Sequence, residues 1–178
     1  MKKLLLLAVL CSAFCVSAQA DFYVGAGYGL AINKGSVIEN AHRSTYKDSS
    51  VYSLSGGVTL PLPLFDLRGE VEYFRTRPET KSLGTKQLDA LMLNATGVIP
   101  LIPFIDPYVG FGVGYGRYDH NNTSAWQALM GVEYAFETNP FVVGAEYRYL
   151  ELTETNGKRD NSSKYRTHGL MLKVKYTF

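Results

Sequence analysis

The sequence predicts an all-β fold, an eight-stranded antiparallel up-and-down transmembrane β-barrel that follows a cleaved signal peptide. Three observations predict it. The chain opens on a short apolar leader. Beyond the leader, eight segments alternate apolar and polar residues. The connections between these segments are short and long by turns.

The leader comes first. Lys2 and Lys3 give a positive start, and Leu4 to Val16 is an apolar run broken only by Ser12. Ala18-Gln19-Ala20 is a small-x-small cleavage site. The run is too short for a membrane-spanning helix, and no stop-transfer pattern follows it. Cleavage before Asp21 divides the chain into a signal peptide, 1–20, and a barrel domain, 21–178. Leu10 and Phe14 stand before Cys11 and Cys15, where lipidation would want a small residue. These are the only two cysteines, so the exported part needs no disulfide. The chain holds 18 Lys and Arg against 16 Asp and Glu. Removing Lys2 and Lys3 balances the exported part, which leaves no electrostatic case for nucleic acid.

The alternating segments follow in order. In the first, Phe22, Val24, Ala26, Tyr28 and Leu30 face one way, and Tyr23, Gly25, Gly27 and Gly29 the other. The second sets Tyr52, Leu54, Gly56, Val58 and Leu60 against Ser53, Ser55, Gly57 and Thr59. The third sets Phe65, Leu67, Gly69, Val71 and Tyr73 against Asp66, Arg68, Glu70 and Glu72. In the fourth, Leu91, Leu93, Ala95, Gly97 and Ile99 oppose Met92, Asn94, Thr96 and Val98. In the fifth, Val109, Phe111, Val113 and Tyr115 oppose Gly110, Gly112, Gly114 and Gly116. The sixth opposes Trp126, Ala128, Met130, Val132, Tyr134 and Phe136 to Gln127, Leu129, Gly131 and Glu133. The seventh opposes Phe141, Val143, Ala145, Tyr147 and Tyr149 to Val142, Gly144, Glu146 and Arg148. The eighth opposes His168, Leu170, Leu172, Val174, Tyr176 and Phe178 to Thr167, Gly169, Met171, Lys173 and Lys175. Period-two alternation marks strands with unlike faces. Each segment has about nine to eleven residues, the length of a tilted strand crossing a bilayer.

Pro61 to Leu64, Pro100 to Pro107 and Glu137 to Pro140 are short connections that carry proline. Asn33 to Ser50, Arg75 to Lys86, Tyr118 to Ser124 and Glu151 to Tyr165 are longer and mostly polar. Short turns on one rim and long loops on the other are the outer-membrane barrel pattern, with the short turns in the periplasm.

The direction of the faces follows from composition. A soluble eight-stranded barrel also alternates, but points its apolar face inward. Here the apolar face carries aromatics at both ends. Phe22, Phe65, Phe136, Phe141 and Phe178 fall at the short-turn rim. Tyr28, Tyr52, Tyr73, Tyr115, Trp126 and Tyr147 fall towards the long-loop rim. Two such girdles around an aliphatic band suit a bilayer. The other face is rich in glycine and charge. An eight-stranded interior is just wide enough for side chains to fill. Glycine rows leave room there for Arg68, Glu70, Glu72, Glu133, Glu146, Arg148, Lys173 and Lys175, with Asp66 near the rim. Unpaired charge in that space is costly, so the four cations are expected to pair with the glutamates. Such a network serves either as a packed plug or as a gate for ions.

The chain resembles the small outer-membrane barrel superfamily, which includes the outer membrane protein A transmembrane domain, outer membrane protein X and the opacity-type surface proteins. The resemblance covers Asp21 to Phe178. It rests on the leader, the eight segments, Pro107-Tyr108-Val109-Gly110-Phe111-Gly112-Val113-Gly114-Tyr115 and the ending Val174-Lys175-Tyr176-Thr177-Phe178. It implies a Gram-negative outer membrane reached by Sec export, and a structural, surface-exposed role. Adhesion or a narrow ion-conducting pore is the alternative. It also implies that Tyr176 and Phe178 form the signal read by the barrel assembly machinery. The implied partners are outer-membrane lipids, lipopolysaccharide, periplasmic chaperones and a host or surface ligand held by the loops.

Catalysis is not expected. Some small barrels deacylate lipid A with a His-x-Ser pair and a carboxylate. His42-Arg43-Ser44 with Glu39 matches in type, but it lies in the first long loop, whereas that pair belongs on a late strand. The late His168 is followed by Gly169 and Leu170. His42, His120 and His168 have no metal-ligand spacing, so no metal or cofactor is expected. The glycine repeats precede no helix and are not a phosphate loop. Asn94, Asn122 and Asn161 begin N-x-Ser/Thr triplets by chance, and Asn94 is expected to face the lumen. The first loop carries Lys34, Glu39, His42, Arg43, Lys47 and Asp48. The last carries Glu151, Glu154, Lys158, Arg159, Asp160 and Lys164. Loop specificity depends on shape, which composition does not give.

Overall fold

The computed structural model describes residues 20–33, 36–39, 42–45, 49–76, 79–80, 84–85, 88–100, 103–118, 121–154 and 165–178. The expected signal peptide lies outside them except for Ala20, and β1 starts at Asp21.

Twelve strands run in chain order: β1 Asp21–Asn33, β2 Ser36–Glu39, β3 His42–Thr45, β4 Ser49–Pro61, β5 Asp66–Thr76, β6 Glu79–Thr80, β7 Gly84–Thr85, β8 Leu88–Val98, β9 Ile105–Tyr118, β10 Asn121–Ala135, β11 Phe141–Glu154 and β12 Tyr165–Thr177. Eight of them close a barrel in the order β1-β12-β11-β10-β9-β8-β5-β4. Among these eight, each strand lies beside the next one in chain order, with β2 and β3 falling between β1 and β4 and β6 and β7 between β5 and β8, and β1 and β12 close the ring. Their register runs from Tyr23 opposite Thr177 to Asn33 opposite Thr167. The amide of Phe178 extends the seam by donating to the carbonyl of Phe22 at 2.8 Å. Closure leaves no strand edge, which a backbone in hydrocarbon requires. Among the described residues no helix is long and apolar enough to cross a membrane; the crossing is made by strands.

The faces point as the alternation predicts. Leu54, Leu93, Val109, Leu170 and Leu172 are exposed on the outer wall, while Arg68, Glu72, Asn94, Gln127, Glu146 and Arg148 are buried inside. The aromatic girdles form contacts of their own. Tyr28 and Tyr52 stand side by side at 5.2 Å towards the long-loop rim, and Phe141 meets Tyr176 edge-on at 5.3 Å near the short-turn rim.

The strands overrun the expected lengths. The eight barrel strands span 11 to 15 residues rather than nine to eleven. Ser49, Ser50, Arg75, Thr76, Asn121 to Ser124 and Glu151 to Glu154, all expected in loops, belong to strands. Above the bilayer a strand needs no apolar outer face, yet its backbone groups are still satisfied by the ladder, so pairing continues. Within the segments expected as loops, β2 pairs with β3 and β6 with β7.

Candidate functional site: the charged lumen

The interior is stacked in three storeys along the barrel axis. Nearest the short turns, Arg68 on β5 donates through both terminal nitrogens to the two carboxylate oxygens of Glu133 on β10, each at 3.0 Å. Lys175 on β12 bonds to the same carboxylate. The paired Arg fork fixes direction as well as charge. Two tyrosines wall this storey. The Arg68 guanidinium lies 5.3 Å from the Tyr23 ring centre. The Lys175 ammonium lies 5.1 Å from Tyr23 and 5.6 Å from Tyr108. Asp66 is half-buried at this end.

Each tyrosine occupies a notch made by a glycine. Tyr23 is paired with Gly57 across β1 and β4, and Tyr108 with Gly131 across β9 and β10. A Cβ on Gly57 would stand 2.6 Å from the Tyr23 hydroxyl. A Cβ on Gly131 would stand 2.6 Å from that of Tyr108. Only glycine lets the rings lie flat along the wall.

The middle storey is a hydrogen-bonded web. Arg148 donates to Glu72 at 2.7 Å and to Glu146 at 2.6 Å. Lys173 lies 3.2 Å from Glu146, 3.5 Å from Glu70 and 3.7 Å from Glu72. Neutral groups also donate into this storey. Tyr23 donates to Glu70 at 2.8 Å and Tyr108 to Glu146 at 3.0 Å. Asn94 donates to both Glu70 and Glu72 at 3.0 Å. Gln127 donates to Asn94 at 2.6 Å. The two tyrosines tie this storey to the one below.

The third storey, towards the long loops, is apolar. Ala31, Val51, Phe74, Leu88, Ala90, Met92, Ala125, Leu150, Leu152 and Met171 form one buried cluster. The Arg148 guanidinium lies 5.1 Å from the Phe74 ring centre. That cation–π contact joins the charged web to its apolar cover.

All eight charged residues singled out in the sequence are therefore buried, four cations against four glutamates, each within an ion pair or hydrogen bond of this interior. Sequence reasoning placed Tyr23, Asn94 and Gln127 on the lumen face without a role, and missed Tyr108 and most of the apolar storey. The signal for the tyrosines is the glycine opposite each, which is visible only once the register is known.

Other candidates lie elsewhere. Tyr176 and Phe178 sit at the short-turn rim, stacked edge-on at 5.1 Å. Glu39 and His42 are register partners across the β2–β3 hairpin, and Ser44 pairs with Val37. Lys34, Lys47 and Asp48 in the first loop, and Lys158, Arg159, Asp160 and Lys164 in the last, lie outside the described residues, as does His120. His168 stands on the outer wall, its Nδ1 2.5 Å from the Tyr147 hydroxyl. Among the described residues no three His, Cys, Asp or Glu side chains converge on a metal position.

A family model described as the outer membrane protein beta-barrel domain matches residues 4–178. Among solved structures, the chain is similar to Neisserial surface protein A (NspA), with 21% identity, a TM-score of 0.67, and coverage of 89% of this chain and 99% of that one. It is similar to Ail, the attachment invasion locus protein of Yersinia pestis, solved with the heparin analogue sucrose octasulfate. That match has 15% identity, a TM-score of 0.57, and coverage of 89% and 99%. It is also similar to the outer membrane enzyme PagL, with 13% identity, a TM-score of 0.54, and coverage of 85% and 97%. These likenesses are of fold. No curated protein sequence matches the chain.

Proposed function

The chain belongs to the outer membrane protein β-barrel domain family, and from that premise we propose that it is a sealed surface barrel, a rigid outer-membrane frame for its loops rather than a pore. The observation that carries this reading is the filled interior. Four cations and four glutamates are paired below an apolar cover that includes Phe74, Leu88, Leu150 and Leu152. An eight-stranded lumen has room for such side chains and little else. Ion passage would have to break buried pairs and wet an apolar layer. Recordings from the refolded protein in planar bilayers test this. A silent membrane supports the sealed barrel, and steady unitary currents refute it.

The leader reading, with cleavage before Asp21, belongs to the same proposal. So does recognition of Tyr176 and Phe178 by the assembly machinery, after escort by periplasmic chaperones. The exposed Phe178 is accessible for that purpose. Lipids and lipopolysaccharide then surround the outer wall.

Adhesion through the loops is the second reading. It draws on the basic residues Lys34, Arg43, Lys47, Lys158, Arg159 and Lys164. It also draws on the fold shared with Ail, whose structure holds an anionic sugar. Loss of cell binding to heparin-coated beads after loop deletion would support it.

We read the barrel as a non-enzyme. His168, the histidine on a late strand, is engaged by Tyr147 and lies edge-on to Tyr149 at 5.3 Å. Gly169 and Leu170 follow it, with no serine nucleophile at the second position. Mass spectrometry of lipid A from expressing cells checks this, since loss of an acyl chain would overturn it.

A further inference from the structure

The turns at the short-turn rim hold large apolar side chains in the open. Leu64, at the tip between β4 and β5, is 85% exposed, and Leu62 beside it is also exposed. Between β8 and β9, Ile99, Phe104 and Ile105 are exposed, and Phe136 opens the turn between β10 and β11. The ring order places these three turns in succession, over four interstrand steps, ~19 Å along the rim. An extended segment of about six residues spans that distance.

Phe104 is fixed in this position. Its backbone stands at φ 72°, in the left-handed region that an aromatic residue seldom adopts. The Ala135 amide donates to its carbonyl at 3.1 Å, and its ring centre lies 6.3 Å from that of Tyr134. These contacts tie the second turn to the strand that leads into the third. Strain of this kind persists only where the surroundings enforce it, and it gathers at ligand clamps. Here it holds an aromatic ring out beside Ile105.

Charge says what the apolar turns meet. Each turn, or the strand residue beside it, carries one carboxylate: Asp66, Asp106 and Glu137 in succession. Residues 61–66, 99–107 and 136–141 contain no Lys or Arg. Arg68 and Lys175, further into the lumen, are buried and bound to Glu133. Anionic lipid headgroups attract Lys and Arg, so a rim built for lipid alone would carry cations. Apolar turns with acids alone complement a cationic, apolar protein surface instead.

From the exposed apolar turns and their charge, we infer that the short-turn rim is a docking surface for a cationic, apolar segment of a periplasmic protein. The apolar side chains of that segment pack on Leu62, Leu64 and Phe104. Its Lys or Arg residues lie towards Asp66, Asp106 and Glu137. The inference rests on the membrane-spanning reading, which puts this rim in the periplasm.

The test uses the refolded full barrel in phosphatidylcholine nanodiscs, which cover the outer wall and leave both rims open. Three labelled peptides of about ten residues, enough to span the turns, are titrated. One alternates Lys and Leu, one Glu and Leu, and one Lys and Ser. Fluorescence anisotropy reads the binding, with empty nanodiscs as the blank. The wild type is compared with L62S/L64S and D66N/D106N/E137Q, and each is checked for the gel shift on boiling. The Lys–Leu peptide should bind the wild type about tenfold more tightly than either variant or the blank, the effect of losing anchors at a small interface. The other two peptides should be weaker by the same factor. A photoreactive Lys–Leu peptide should cross-link to residues 61–66 and 103–106. Equal binding by the wild type and the variants overturns the docking surface. So does equal binding by empty nanodiscs, which would show a rim covered by lipid. Equal binding of the Glu–Leu peptide overturns the charge match, and equal binding of the Lys–Ser peptide overturns the apolar contact. Cross-links confined to the long loops overturn the placement. A wild type that shifts on boiling and binds no peptide refutes the docking surface and leaves the barrel standing. A wild type with no shift refutes the barrel reading, and the inference with it.

Discussion

Arg148 donates to Glu72 across the full width of the lumen, at 2.7 Å. β11 and β5 are four strands apart in either direction around the ring, so the contact spans a diameter. It links residues 76 apart in sequence. Both side chains are almost wholly buried. A buried pair gains little over an apolar pair, but losing one partner strands the other.

The first prediction follows. Arg148→Met leaves Glu72 and Glu146 facing each other near Lys173 alone. The loss should be ~3–5 kcal/mol. Adding Glu72→Gln should recover a substantial part, since the charge count again balances. Urea unfolding from lipid vesicles, followed by the gel shift, measures both. Additive losses in the double variant would contradict the coupling.

The glycine notches give the second. Gly131→Val drives two methyl groups against the Tyr108 ring, and overpacking of this kind costs ~1–3 kcal/mol. Gly116 also faces the lumen, but a Cβ there stands no closer than 3.1 Å to its neighbours. Gly116→Ala should therefore be tolerated better than Gly131→Ala. The same unfolding assay ranks the two, and the reverse order would contradict the notch.

The apolar storey gives the third. Phe74→Ala removes its largest member, and such a cavity costs ~3–5 kcal/mol. It also removes the ring beside Arg148. Phe74→Leu should lose much less. Equal midpoints for the two variants would show that the storey is not packed.

Assembly gives the fourth. Phe178→Ser should lower outer-membrane levels in cells severalfold and leave refolding from urea into detergent nearly unchanged. Phe178 is exposed in the folded barrel, so little packing is lost. A matching loss in both settings would make the residue structural rather than a signal.

The two faces were legible in the sequence because lipid imposes one rule on every strand. Val24, Leu54, Leu93 and Val109 had to be apolar, and their neighbours did not. The charged residues were legible as a group for the same reason, since Glu72 and Arg148 have no other tolerable place. Their pairing was not legible, because partners lie on strands far apart in the chain. The strand ends were hidden because Asn121 to Ser124 and Glu151 to Glu154 lie beyond the apolar band. The apolar storey was hidden by its own chemistry. Val51 and Leu150 face inward beside the outward aromatics Tyr52 and Tyr149, and Leu88 faces inward beside the polar, outward Asp89, so the alternation fades or inverts. Tyr23 and Tyr108 looked like ordinary strand residues until the register set glycines opposite them.

Which face of the barrel meets lipid is reported by the chain's single tryptophan. Trp126 lies on the outward face of β10, stacked on Phe111 at 6.0 Å. Its fluorescence should be quenched strongly when the barrel is refolded into vesicles whose acyl chains carry bromine, and little by iodide in the buffer. Emission untouched by brominated lipid would place Trp126 away from the bilayer and contradict the inside-out barrel.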